Sequence, residues 1–224
     1  MELVIDVSAS AIAAGVARSG EVVWSGSCLT TRDHTTMLLP QILAGISEVG
    51  ARPEDISLVI VATGPGPFNG LRVALSLAKG IAVAMGIPVV GIDSLLAEAS
   101  RCQAQEGYLR PIMRAGKTTL ATALFQKSDT SWQAIEDAQV VTEQDTVEIV
   151  RRRPTPVCGD IDESLRALFE QSTAEFVEPQ RTRIQSLAAL GCERATAGKI
   201  DSVATLQPLY VRPPHITTPR ERRH

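Results

Sequence analysis

The chain has little with which to bind a metal. Its three histidines, His34, His215 and His224, include no pair spaced i,i+4, so no helix face presents two imidazoles. Its four cysteines, Cys28, Cys102, Cys158 and Cys192, lie far apart without a C-x-x-C pair, which fits neither a zinc site nor a disulfide framework and predicts reduced thiols. No nucleophile elbow and no Cys-His pairing at a recognisable spacing is present. Positive charge is also scarce. Against 22 basic residues stand 25 acidic ones, so the surface as a whole has no attraction for nucleic acid or anionic lipid. The opening "MELVIDVSAS" carries Glu2 and Asp6 where a secretory leader carries positive charge, and the charge-free run 80–92 is 13 residues long and contains Pro88, too short and too broken to span a bilayer. A cytoplasmic protein with no membrane contact is expected.

What is present is aliphatic. Hydrophobic residues make up 44% of 224 residues but aromatics only 4%, enough for one large core or two small lobes. "LVIDVS", "IAAGVARSG" and "EVVWSGSCL" read as three consecutive strands, the second turn falling at Ser19-Gly20. "HTTMLLPQILAGISEVG" has helical spacing, "LVIVATG" is a buried strand, Asn69 is a candidate cap for a helix running to about Met85, and "IPVVGID" is another strand. Strand, strand, strand, helix, strand, helix, strand is the order of a ribonuclease-H-like lobe, one that other α/β layouts largely share. A helix over "SLLAEASRCQAQ" leads to a second set: strands at "LRPIM", "TTLATALFQ" and "WQAIEDAQVV", a helix near "TEQDTVEIVRRR", then "TPVCGD" and further helices. The second half roughly echoes the first. Residues 1–100 are therefore assigned to one lobe, joined by part of the C-terminal segment, 101–206 to a more degenerate second lobe, and 207–224 to a C-terminal segment with a basic, proline-broken end.

"TGPGPFNGLR" raises the question of a phosphate site. A Walker A loop needs Lys-Ser/Thr directly after its last glycine, whereas Gly70 is followed by Leu71 and Arg72. Gly64, Gly66 and Gly70 are spaced G-x-G-x-x-x-G rather than as a dinucleotide fingerprint, and Pro65 and Pro67 remove two amides that would face a phosphate. A rigid turn that lets strand and helix approach closely is the preferred reading. The second candidate is "IDVSAS". In two-lobed ATPases an Asp and hydroxyls on the first hairpin meet phosphate and magnesium, and the second lobe adds a matching acid. Asp6, Ser8 and Ser10 supply the first half. The corresponding hairpin "PIMRAGKTT" has Met113 where the acid is wanted, so the site is vestigial. No complete catalytic constellation emerges.

Together "LVIDVSAS", "RDHTTMLLPQI", "GPGPFNGLRVALSLAKGIAVAMGIPVVGIDSL" and the late "PLYVR" resemble the bacterial TsaB (YeaZ) family, a partner in forming threonylcarbamoyladenosine on tRNA. The similarity is strong over residues 1–100 and weak across the second lobe. It departs from the family pattern at Pro67 and Asn69 and at Met113 to Gly116. The resemblance implies an α/β fold of two actin-like ATPase (ASKHA) lobes, ribonuclease-H-like with mixed sheets flanked by helices. It also implies a noncatalytic scaffold subunit, not a protease, with no cofactor of its own. ATP and metal then belong to the catalytic paralogue TsaD and a TsaE-type ATPase, with tRNA touched only indirectly. A homodimer through the same surface is a further expectation. The alternative is a small ATPase or kinase of the same fold using Asp6 and a divalent metal.

Helical geometry adds an interface expectation. At 100° per residue Leu71, Ala74, Leu75, Ala78, Ala82 and Met85 form one stripe, while Val73, Leu77, Gly80 and Ala84 form a second on nearly the opposite side. The helix is too apolar around its circumference for one sheet to bury. Helix 34–49 is similar, its only charge being Glu48. Packing of the two helices on each other is the plain alternative. Met37, Leu38, Gln41, Val73, Leu77, Gly80 and Ala84 are the expected partner-facing residues.

Overall fold

The first sheet takes its strands from both ends of the aliphatic N-terminal half: β1 (Glu2–Asp6), β2 (Ala11–Arg18), β3 (Glu21–Leu29), β4 (Leu58–Gly64) and β5 (Val89–Asp93). In this computed structural model, which describes residues 1–9, 11–29, 34–102, 107–128, 131–170, 172 and 174–211, they lie in the order β3-β2-β1-β4-β5. β1, β2 and β3 run antiparallel, and β4 and β5 continue parallel to β1. Ser19 and Gly20, at φ 52° and 81°, form the turn between β2 and β3, both residues in the left-handed region that matches the twist of a tight hairpin.

With α1 (His34–Glu48) and α2 (Phe68–Met85) this makes a ribonuclease-H-like lobe. Side chains alternate across the sheet. Leu3, Ile5, Val7, Val59 and Val61 meet Leu38, Ile42, Leu71 and Ala74 of the two helices. Val4, Ile60 and Ala62 point the other way, to Ile184, Leu187 and Ala188 of α6 (Arg183–Thr196). Burial on both faces explains why β4 reads as an unbroken aliphatic run.

Three expectations need correction. Helix α2 starts at Phe68 after Pro67, with no side-chain cap, so Asn69 sits inside its first turn. The helix expected over 94–106 is the short α3 (Ser94–Ala99), turning on to Cys102; residues 103–106 fall outside the described residues. Helix α6, assigned to the second lobe, packs on the first sheet, where Gly191 lets it approach Ile60 so closely that a Cβ would stand 2.5 Å from Cγ2. The chain then runs along the same sheet: Asp201 N–H donates to Val89 O at 2.9 Å and Leu209 N–H to Thr63 O at 2.8 Å.

The second sheet comprises β6 (Gly107–Arg114), β7 (Thr119–Thr122), β8 (Phe125–Ser128), β9 (Ser131–Ala134) and β10 (Gln139–Thr142), in the order β10-β7-β6-β8-β9. A short β11 (Val157–Gly159) pairs parallel with β6. "TTLATALFQ" is thus two strands. β7 pairs with Ile112–Arg114 and β8 with Gly107–Leu109, so the chain crosses β6 at Ala123 and Leu124. Helices α4 (Glu143–Arg152) and α5 (Glu163–Phe169) cover Ile112, Leu120 and Val157, while α3 covers Leu109 and Met113 from the other side. Among the described helices α2 alone is long and apolar enough to cross a bilayer, and its Leu71, Ala74, Leu75, Ala78 and Ala82 are buried in the lobe.

Candidate functional site

Three parallel strands finish at the same end of the sheet, the end at which open α/β folds bind ligands. Asp6 ends β1, Gly64 ends β4 and Asp93 ends β5. Asp6 is 4% exposed, and its Oδ1 accepts from the backbone N–H of Ser8 at 2.8 Å and from the Ser8 hydroxyl. Ser10 falls outside the described residues. Asp93 caps α3 by accepting from Leu96 N–H at 2.9 Å, and burial raises its carboxyl pKa. Gly64 N–H donates to the buried Ser94 hydroxyl at 3.1 Å.

The glycine loop lies on the turn that follows β1. A Cβ at Gly66 would stand 2.6 Å from Ser8 O, and one at Gly70 2.8 Å from Val7 O, so two backbones meet where any side chain would separate them. Gly64, at φ 109°, faces the Leu209 carbonyl.

Arg183 fills the space beside Asp6. Its side chain is 11% exposed, with Nε 3.2 Å from Glu98 Oε2 and 3.7 Å from Asp6 Oδ2, and Nη2 3.4 Å from Asp160 Oδ1. Burial opposes the Arg183 charge, but Asp6, Glu98 and Asp160 outweigh it and hold the pKa above the usual guanidinium value. Glu98, fully buried and paired also with Arg101, is pushed up by burial against the pull of Arg183 and Arg101. One cation therefore joins the end of β1, helix α3 and the residue after β11. It borders a cleft of about 240 Å³ lined by Asp6, Ala9, Ser25, Ser27 and Thr182. The carboxylate expected to hold a metal faces an internal guanidinium, and among the described residues no three metal-ligating side chains gather.

The second-lobe acid sits elsewhere than the hairpin. Met113 is 1% exposed in the core, and Arg114 beside it pairs with Glu143 and Asp162. The acid facing Asp6 across Arg183 is Asp160, directly after Gly159 at the end of β11. Sequence reasoning missed Arg183, Glu98 and Asp160. One signal was available: Thr182-x-x-Gln185 is a capping box that starts α6, which puts Arg183 in its first turn, where the helix dipole disfavours a cation unless carboxylates surround it.

A second surface lies on α1 and α2, neighbours on the same sheet face. Leu38 does not belong to it: with Ile42 and Ile46 it forms the i,i+4,i+8 stripe that enters the core, and it is fully buried. Met37 at 45%, Leu43 at 47% and Val83 at 66% are exposed. Gln41, Val73 and Leu77 are half-buried, and Gly80 and Ala84 are open, with nothing within 4 Å of a Cβ placed on Gly80. Gln41 Oε1 is buried without a hydrogen-bond partner among the described residues.

Known proteins match this chain at both levels. The profile of the family described as TsaD, tRNA N6-adenosine threonylcarbamoyltransferase, matches residues 28–204. The tRNA threonylcarbamoyladenosine biosynthesis protein TsaB of Bacillus subtilis is 26% identical over 155 residues, spanning 69% of this chain and 68% of the relative. Its Escherichia coli namesake is 23% identical over 197 residues, spanning 82% of this chain and 83% of that one. The structure of YeaZ from Pseudomonas aeruginosa superposes with a TM-score of 0.74 at 18% identity, covering 93% of this chain and 98% of the other, which shows the shared fold.

Proposed function

We propose a function from one established premise: the chain belongs to the TsaB (YeaZ) family, within the group whose profile is that of TsaD. On our reading it serves threonylcarbamoyladenosine formation on tRNA as a noncatalytic scaffold subunit that binds and activates the TsaD catalytic paralogue. The observation that carries this is the apolar outer face of α1 and α2, where Met37, Leu43 and Val83 stand in solvent beside the open Gly80 and Ala84. Exposed apolar surface of this kind, with small residues that let another helix approach, suits a helix-to-helix contact with another subunit. The pairing of Asp6 with the Arg183 guanidinium and its hydrogen bonds from Ser8 support the noncatalytic part of the reading. ATP and metal belong, on this account, to TsaD and to a TsaE-type ATPase in the larger assembly. The same face also serves a homodimer of the free protein, and tRNA is reached only through the partner.

The test is a binding isotherm against the TsaD paralogue beside a threonylcarbamoylation assay with and without this chain. Association together with activity that depends on the chain is expected; full activity of TsaD alone would reject the scaffold role. Calorimetry with ATP and magnesium on the isolated protein separates the alternative enzyme. Tight binding and turnover lost in Asp6→Ala would favour a small actin-like ATPase or kinase.

A further inference from the structure

The chain passes from α3 to the second sheet beyond Cys102 and returns before α6, and the two passages are tied to each other. Gln180 N–H donates to Arg101 O at 2.9 Å, and Arg101 Nε donates to Arg181 O at 2.9 Å. Two crossings held at one point form a hinge, because rotation there falls on a few loop residues while the packed bodies on either side stay intact. Near this point the lobes are not sealed together. α6, which packs on the first sheet, and Trp132 of the second sheet border a cleft of about 200 Å³, with Ser186, Ala189 and Leu190 on the α6 side.

Arg183 joins the lobes at the start of α6, where the capping box of Thr182 and Gln185 fixes its backbone. Its Nε stands 3.2 Å from Glu98 Oε2 on α3 and 3.7 Å from Asp6 Oδ2 in the first lobe. Toward the second lobe, Nη2 donates to Asp160 Oδ1 at 3.4 Å and Nη1 to Met113 Sδ at 3.9 Å. Asp160 is a firm anchor. Its N–H donates to Ile112 O at 2.8 Å and its Oδ2 accepts from Arg114 N–H at 3.1 Å. Gly159 before it, at φ 112°, lies so close to β6 that a Cβ would overlap Ile112 O. Both ends of the Arg183–Asp160 contact are therefore set by backbone, each in a different lobe. The Asp160 side chain is 29% exposed, so water can take the place of the guanidinium when the contact breaks.

We propose that Arg183 is a latch between the lobes: through Asp160 it holds the second lobe at one angle to the first, and release of that contact lets the two swing about the crossing at Arg101 and Gln180. A cation suits this position because it draws the carboxylates of both lobes to one point, where without it Asp6, Glu98 and Asp160 would repel one another. The inference does not depend on which partner covers α1 and α2.

The test uses the chain's two tryptophans, which lie one in each lobe, Trp132 being 7% exposed at the cleft. In a Trp24→Phe background, acrylamide quenching of Trp132 reports opening of the cleft. Asp160→Ala removes only the second-lobe end of the latch and should raise that quenching by about twofold or more. Asp6→Asn leaves the Asp160 contact in place and should not change it. In the complementary Trp132→Phe background, Trp24 should respond to neither substitution. Arg183→Met strands two buried carboxylates and so challenges the fold as well as the latch, which is why the partly exposed Asp160 is the residue to change. Unaltered quenching of Trp132 in Asp160→Ala, whatever the shift in its melting temperature, would reduce the contact to a stabilising ion pair and overturn the proposal. An equal rise in Asp6→Asn and Asp160→Ala would overturn it too, since the effect would then belong to the whole cluster and not to the span between lobes.

Discussion

Strand β4 in the first lobe buries six of its seven residues, whereas β9 in the second buries one of four. Ion pairs are distributed in the opposite sense. Every one found among the described residues includes a residue from Glu98 onward, and none joins two residues of β1 to β5, α1 and α2. Burial of aliphatic area is insensitive to pH and scales with surface removed from water, while half-exposed ion pairs contribute up to about 1 kcal/mol each and weaken with salt. The difference assigns more of the stability to burial in the first lobe and leaves the second, where β7 to β10 are four residues each around the longer β6, more dependent on particular side-chain partners.

The largest effect that sharpens this contrast is expected on the first lobe's uncovered face. Ala84→Glu should place an unpaired carboxylate in the proposed TsaD contact, costing about 3–5 kcal/mol, or roughly two to four orders of magnitude in affinity. Because Ala84 is exposed, the melt of the free variant should stay unchanged. A collapsed melt would return Ala84 to the lobe's own core, and an unchanged isotherm would remove it from the interface.

Next come two matched truncations read in urea. Leu71→Ala empties a fully buried position and should cost about 2–5 kcal/mol. Arg114→Ala removes two ion pairs of the second lobe, to Glu143 and to the half-exposed Asp162, and should cost about 1 kcal/mol. Equal costs would end the distinction between the lobes.

Two glycines give a smaller test within the first lobe. Gly66→Ala, whose Cβ meets Ser8 backbone, should lower stability by about 1 kcal/mol or more. Gly80→Ala, with open space around it in mid-helix, should raise stability of the free protein by about 0.5–1 kcal/mol. Thermal melts of the two variants should therefore move in opposite directions, and movement in the same direction would contradict the packing described for one of them.

The smallest effect is acid sensitivity in the second lobe. Asp162 caps α5, and hydrogen bonds from Ser164 and from the Leu165 N–H, with Arg114 adding to them, hold its pKa at about 2 against an ordinary 3.8. A depressed folded pKa means stabilisation that is complete above the ordinary value and is lost as pH falls toward 2. Asp162→Asn keeps a cap that does not titrate, so it should flatten the acid limb of a circular-dichroism titration. An identical limb in the variant would place the acid response elsewhere. Asp93 and Glu98 act in the reverse sense, since burial raises both and acid relieves a buried charge.

How much of this was legible in sequence follows the same division. The meander, β4 and α2 were readable because each is a local pattern: aliphatic runs, a Ser19-Gly20 turn and a stripe at helical spacing. The second lobe was blurred because β7, β8, β9 and β10 are four residues long each, too short for alternation to stand out; "TTLATALFQ" gave no sign of crossing β6. Leu38 was misplaced because an apolar residue on a helix that is apolar on several faces does not declare which face it serves. Arg183 was invisible as a site residue since its partners at 6, 98 and 160 are brought to it by tertiary structure alone. Asp160 was overlooked because the expected acid was sought on the hairpin at Met113.

The position of α6 bears on how the chain is made. Val4 and Ile60 leave the ribosome early, yet the residues that cover them, Ile184 and Leu187, follow only after the whole second lobe has been synthesised. Until then the nascent sheet has α1 and α2 available for one side and a bare aliphatic surface on the other, the kind of surface that chaperones hold and that aggregates when nothing does. The second lobe is therefore translated inside an unfinished first one. Closing the first sheet is a late event, joining segments about as far apart in sequence as this fold allows, and so one of its slower steps.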